Sequence, residues 1–152
     1  MKKKLLYEFM DDDDLLRITK AVRIVESTTE GEICVSIKEK KSVFDGNKSI
    51  RELAEKEFFK QGVNETKFGT GILIYLILKE RQFYILGDKG INEKVNPDTW
   101  DSIKNKMQEF FLHGEFGNGI KHAVDEVGKI LSTHFPIKPD DKNELSDAVR
   151  LN

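Results

Sequence analysis

The chain has 152 residues, of which 38% are hydrophobic and 34% charged, and its net charge is −2 at neutral pH. This length supports one domain with its own core and excludes two domains of ordinary size, while the composition excludes a disordered chain. The near-neutral charge gives no electrostatic argument for nucleic acid, and the single cysteine, Cys34, excludes an internal disulfide.

The N-terminal part of the chain predicts a helix followed by a strand. Apolar residues recur at helical spacing over 11–27, and the aspartates at 11–14 suit the start of that helix, where carboxylates meet the positive end of the dipole. Consecutive helical positions point in different directions, so the four aspartates do not predict a metal cluster. Alternating apolar residues over 33–39 predict the first strand.

The middle of the chain predicts a helix and then a β-hairpin. A helix over 49–61 follows a polar loop, and Ser49 can cap it. The run 72–78 is uniformly apolar, which is typical of a central strand buried on both faces. A charged turn at 79–81 returns the chain into a second, antiparallel strand over 83–86.

Two more amphipathic helices are predicted over 98–113 and 116–134, before a polar tail. We expect one domain over 1–145 and a tail over 146–152. The apolar stretch near the N-terminus, Leu5 to Tyr7, is too short for a signal peptide or a membrane span, and no later segment reaches membrane length. The sequence therefore predicts a soluble, cytoplasmic protein.

The order of these elements predicts the fold class. A helix between the strands at 33–39 and 72–78 makes a crossover unit, so the two strands should be parallel. Four amphipathic helices must then cover both faces of a small mixed parallel and antiparallel sheet, which is a three-layer α/β/α sandwich.

Three predicted turns meet at the amino end of this sheet, the end at which its parallel strands begin. They are Gly31–Glu32, Gly69–Gly71 and Gly87–Asp88. Glycines let backbone oxygens approach a ligand, and oxygen-rich loops suit calcium or magnesium. The same glycines can instead be ordinary turn residues. Ligands in open α/β sheets more often bind at the carboxyl end, where Asp45 is the alternative anchor.

Several segments together resemble one family, the TPM domain, named after a thylakoid-lumen protein, a photosystem II repair factor and a receptor modulator. The resemblance runs from about Phe9 to Leu145, and it is carried by the segments 31–33, 71–75, 83–91, 110–120 and 134–145. It implies an α/β/α sandwich, divalent-cation binding and, for some members, acid-phosphatase activity (the family is also known as TPM phosphatase). Many relatives are exported or membrane-anchored, and this chain resembles a bacterial cytoplasmic version.

The chain departs from the family pattern just before its second strand. Relatives often have Asp-x-Asn-Gly there, whereas this sequence has Phe68 to Gly71, without the acid. Our first hypothesis is a weak calcium- or magnesium-binding module that uses Asp88 and Glu32, with Glu115 as a further ligand. The alternatives are a phosphatase-like hydrolase in which Asp88 holds the metal, and a non-catalytic interaction domain acting with a membrane or repair complex.

Overall fold

Two layers of helices enclose a mixed sheet in the computed structural model, which describes residues 4–137 and 150–151. The helices are α1 (Lys4–Phe9), α2 (Asp12–Glu26), α3 (Ile50–Lys60), α4 (Lys89–Asn92), α5 (Pro97–Leu112) and α6 (Phe116–His134). The strands are β1 (Glu32–Lys38), β2 (Gly71–Ile77), β3 (Gln82–Gly87) and β4 (Arg150–Leu151). Short 3₁₀ turns lie at Val43–Asp45 and Val63–Glu65. Every predicted helix and strand is present, and its ends differ from the prediction by at most one residue.

The sheet has the strand order β3-β2-β1-β4. β1 and β2 are parallel, with Glu32 opposite Gly71 at the amino end. β2 and β3 form the antiparallel hairpin, and its turn holds Arg81 in the left-handed region with φ of 54°. The predicted α/β/α sandwich with a mixed sheet is therefore confirmed.

The alternation of side chains along β1 divides the core into two halves. Ile33, Val35 and Ile37 belong to a cluster with apolar residues of α2, α5 and α6, whereas Cys34 belongs to a second cluster with α3. Three long helices thus cover one face of the sheet and one covers the other. Each large apolar side chain buried in this way contributes about 1.5–3 kcal/mol.

The predicted helix starts are confirmed by their caps. Asp11 accepts a hydrogen bond from the Asp14 amide, and the Asp14 side chain accepts one from the Asp11 amide. Ser49 caps α3 through the Glu52 amide at 3.1 Å. Caps of this kind are worth about 1 kcal/mol each, so the aspartate run serves to start a helix.

Three short elements have no counterpart in the predicted order. α1 is fixed by tertiary contacts, because Leu6 is buried and its amide donates to Glu39 Oε2 at 2.9 Å. α4 begins directly after Asp88. β4, inside the segment predicted as a tail, pairs with β1 over two residues. The predicted domain boundary at 145, the family-like residues after 137 and the rest of the tail lie outside the described residues. No helix in the described part of the chain is long and apolar enough to cross a membrane.

Candidate functional site

The three predicted turns do meet at the amino end of the sheet. The Glu32 amide donates to the Thr70 carbonyl at 3.1 Å, which joins the first turn to the second. The Asp88 amide donates to the Gly71 carbonyl at 2.9 Å, which joins the third turn to the second. These bonds extend the strand ladders beyond their ends, so the backbone itself holds Glu32 and Asp88 at one end of the molecule.

Two glycines allow the second and third turns to touch. Gly69 has φ of 65°, and a Cβ there would lie 2.9 Å from the Gly90 nitrogen and 3.9 Å from Asp88 Cγ. A Cβ on Gly90 would overlap the Phe68 carbonyl oxygen and lie 2.7 Å from that of Gly69. Carbonyl oxygens of the 68–69 turn therefore lie against the 88–90 turn, and Gly69 comes close to the Asp88 carboxylate.

Asp88 is fixed in orientation and partly open to solvent. Its Oδ1 accepts the Lys89 amide at 2.8 Å, and its carbonyl accepts the amides of Ile91 and Asn92, so the residue caps α4 at both its side chain and its backbone. Among the described residues, Lys89 is the one hydrogen-bond donor to this carboxylate. The rest of its acceptor capacity is available to water or a cation.

Glu32 lies at the same end but in a different environment. It is 2% exposed, whereas Asp88 is partly exposed. Glu32 is the first residue of β1 and belongs to the face that carries Cys34, toward α3. Its register partner Gly71 has no room for a Cβ because the Val63 carbonyl fills that space. Glu32 therefore lies beneath the surface, under the turns that carry Asp88 and Gly69.

The structure does not bring Glu115 to this end. α5 starts just after α4 and runs 16 residues, about 24 Å, along the sheet before Glu115 follows it. Near its far end, Phe111 packs edge-on against Phe83 with ring centroids 5.1 Å apart, and Phe83 pairs with Leu76 near the end of β2. Glu115 thus lies toward the carboxyl end of the sheet, too far from Asp88 to bind the same ion. Within the described residues, no group of three or more His, Cys, Asp or Glu side chains could hold a metal ion.

Asp45, the alternative anchor, is buried at the carboxyl end with its charge already compensated. It is 4% exposed, and its Oδ1 lies 3.2 Å from Lys48 Nζ and 3.4 Å from Lys56 Nζ. The hydrogen bond from Lys48 holds the pKa of Asp45 below its ordinary value, with help from Lys56 and against a smaller opposing effect of burial. These contacts assign Asp45 a structural role, that of anchoring its loop.

A cavity of about 200 Å³ beside Asp45 was not foreseen from the sequence. Its walls include Lys38, Lys56 and Lys60, together with the hydroxyl-bearing Tyr75 of β2. Burial, aided by the charges of Glu57, Asp45 and Glu80, raises the pKa of Tyr75 to about 12, so this hydroxyl remains protonated at neutral pH. The one sequence signal for this cavity was a tyrosine inside an otherwise aliphatic strand.

Comparison with known proteins places these features in a family. The model of the TPM domain matches residues 7–130. The solution structure of the BA42 protein from the psychrophilic bacterium Bizionia argentinensis is similar to the chain, with 31% sequence identity and a TM-score of 0.84, over 95% of this chain and 96% of that one. No curated protein matches the chain.

Two further solved structures share the fold at lower identity. The N-terminal domain of the cg2496 protein from Corynebacterium glutamicum is 18% identical with a TM-score of 0.59, over 82% of this chain and 75% of that one. The N-terminal domain of a protein from P. gingivalis is 19% identical with a TM-score of 0.67, over 84% and 79%. At these identities the likeness concerns the fold alone.

Proposed function

The chain belongs to the TPM domain family, and from this premise we propose that it is a module that binds a divalent cation, calcium or magnesium, at the Asp88 turn. The observation that carries the proposal is the packing of the 68–69 turn on the Asp88 turn: the ideal Cβ position of Gly69 lies 3.9 Å from the Asp88 carboxyl carbon, and the carbonyl oxygens of Phe68 and Gly69 lie against Gly90. A fixed, partly exposed carboxylate close to the carbonyl oxygens of a turn offers the oxygen ligands that hard cations prefer.

The proposed donors are the Asp88 carboxylate and backbone carbonyls of the 68–69 turn, with water completing the coordination. The buried Glu32 and the distant Glu115 are not among these donors. A single exposed carboxylate gives weak binding, with a Kd of about 10⁻⁴–10⁻³ M. The proposal does not include catalysis.

The test is a calcium-dependent stability measurement on matched variants. Because a ligand that binds the folded state stabilises it, 10 mM calcium should raise the unfolding free energy by about 1.4–2.7 kcal/mol for a Kd in this range. Asp88→Asn should remove this gain. Asp98→Asn is the matched control, because Asp98 is likewise an aspartate at the start of a helix and its side chain is exposed. A gain that survives in Asp88→Asn, or is absent from the wild-type protein, contradicts the proposal.

A further inference from the structure

The most exposed apolar residues of the described chain are adjacent. Val43 and Phe44 are each 91% exposed, and the next most exposed large apolar residue, Leu112, is 79% exposed. Single exposed apolar residues are common on protein surfaces and need no explanation. Two consecutive ones at the tip of a turn form a small apolar protrusion, which we call the 43–44 tip.

The turn that carries the 43–44 tip is held in place from beneath. The Ser42 carbonyl accepts the Asp45 amide at 3.0 Å, and the Asp45 carbonyl accepts the Lys48 amide at 3.0 Å. The buried Asp45 carboxylate then ties the turn to Lys48 and to Lys56 of α3. Because Asp45 is fixed inward, Val43 and Phe44 are kept outward and do not collapse onto the protein.

The segment that carries the tip has an excess of positive charge, although the carboxylate of Glu80 reaches it by accepting the Lys41 amide at 3.1 Å. The segment 38–48 contains Lys38, Lys40, Lys41 and Lys48 against two acids, a net charge of +2 in a chain of net charge −2. Asp45 pairs with Lys48 of the same segment and with Lys56 of α3, and Glu39 accepts the Leu6 amide on the opposite side of the sheet, which leaves Lys38, Lys40 and Lys41 as the lysines not paired with these acids. In the described part of the chain, neither Lys38 nor Lys40 takes part in an ion pair.

From this combination we propose that the 43–44 tip and its lysines form a docking surface for an anionic lipid membrane. Val43 and Phe44 insert into the boundary between headgroups and acyl chains, and the lysines contact lipid phosphates. A soft lipid surface accepts a convex tip. A protein partner would instead need about 800 Å² of complementary surface, far more than two side chains supply.

The inference is independent of the cation site. No residue of the 43–44 tip, and neither Lys38 nor Lys40, belongs to the turns that hold Asp88.

The test is co-sedimentation with vesicles of phosphatidylglycerol and phosphatidylcholine, compared with vesicles of phosphatidylcholine alone. We expect binding to the anionic vesicles that weakens as salt rises. Phe44→Asp should weaken vesicle binding by more than about tenfold, because the substitution removes the side chain that inserts and adds a negative charge that the anionic lipids repel. Leu112→Asp, an equally drastic change on α5, should leave it unchanged.

A second pair of variants tests the charges. Lys38→Gln with Lys40→Gln should weaken binding about thirtyfold, at about 1 kcal/mol for each lysine. The control pair, Lys94→Gln with Lys104→Gln, alters two lysines that likewise lack ion pairs in the described chain, and it should have no such effect. Amide spectra of each variant confirm that it remains folded.

Three results would overturn the proposal. They are absence of binding to anionic vesicles, equal loss in Phe44→Asp and Leu112→Asp, and equally strong binding to a polyglutamate peptide or a DNA oligonucleotide. The last result would assign the same surface to an acidic macromolecule.

Discussion

The two ends of the sheet differ in the residues that surround their aspartates. At the amino end, glycines let backbone oxygens of one turn pack against the turn that begins with the partly exposed Asp88. At the carboxyl end, lysines compensate the buried Asp45, which lies next to an exposed apolar tip. A partly exposed carboxylate can bind a cation, whereas a carboxylate already paired with two lysines fixes the loop that carries it. Burial and pairing, rather than the residue type, therefore distinguish the roles of the two aspartates.

The largest loss of stability is expected from a side-chain atom added where the two glycine turns touch. Gly90→Ala places a Cβ against the carbonyl oxygens of Phe68 and Gly69, and backbone cannot move aside cheaply. We expect a loss of about 1–3 kcal/mol in unfolding free energy, measured by urea denaturation.

Gly46→Ala is the counterpart of that substitution at the carboxyl end. Its Cβ would meet nothing closer than 3.9 Å, and its φ of −57° suits alanine. We expect it to stabilise the fold slightly, by less than about 1 kcal/mol. Similar losses in both variants would show that the two ends do not differ in packing as described.

A smaller, functional effect is expected from restoring the family's acid. Phe68 is 57% exposed and its carbonyl lies beside Gly90, so Phe68→Asp adds a carboxylate next to the proposed cation. We expect calcium affinity, measured by calorimetry, to rise about tenfold. Phe59→Asp, at a 63% exposed position on α3, controls for the general effect of added charge. An equal gain in both variants would contradict the assigned location.

The smallest effect concerns the pH dependence of the Asp45 anchor. Its pKa is lowered in the folded state, chiefly by Lys48, so its contribution to stability is complete above the unfolded pKa of about 4 and disappears as pH falls through the folded value. Asp45→Asn should therefore be less stable than wild type at pH 7, and the difference should vanish toward pH 2. A difference that is constant with pH would mean that the ion pairs contribute nothing.

The sequence predicts the fold well because the signals for it are local. The apolar run of β2, the helical spacing in α5 and α6 and the caps at Asp11 and Ser49 each determine their own element. The crossover rule then determines that β1 and β2 are parallel. α1 and β4 were not predicted, because each is held by a partner far away in the sequence: Glu39 for α1 and strand β1 for β4.

The site was only partly predictable for the same reason. The meeting of Glu32, Gly69 and Asp88 follows from strand direction, which the sequence reveals. The position of Glu115 depends on the direction in which α5 runs along the sheet. Helical spacing predicts which side of α5 packs on the sheet, but it does not predict at which end of the sheet the helix finishes. The burial of Asp45 depends on Lys56, eleven residues away on α3.

The most direct test of the account is a calcium titration followed by backbone amide chemical shifts. We predict that amides of residues 31–32, 68–71 and 87–91 shift progressively, that those of residues 43–45 do not, and that Asp88→Asn abolishes the change. Shifts confined to the carboxyl end, or unaltered by Asp88→Asn, would contradict the assignment of the cation site to the amino end.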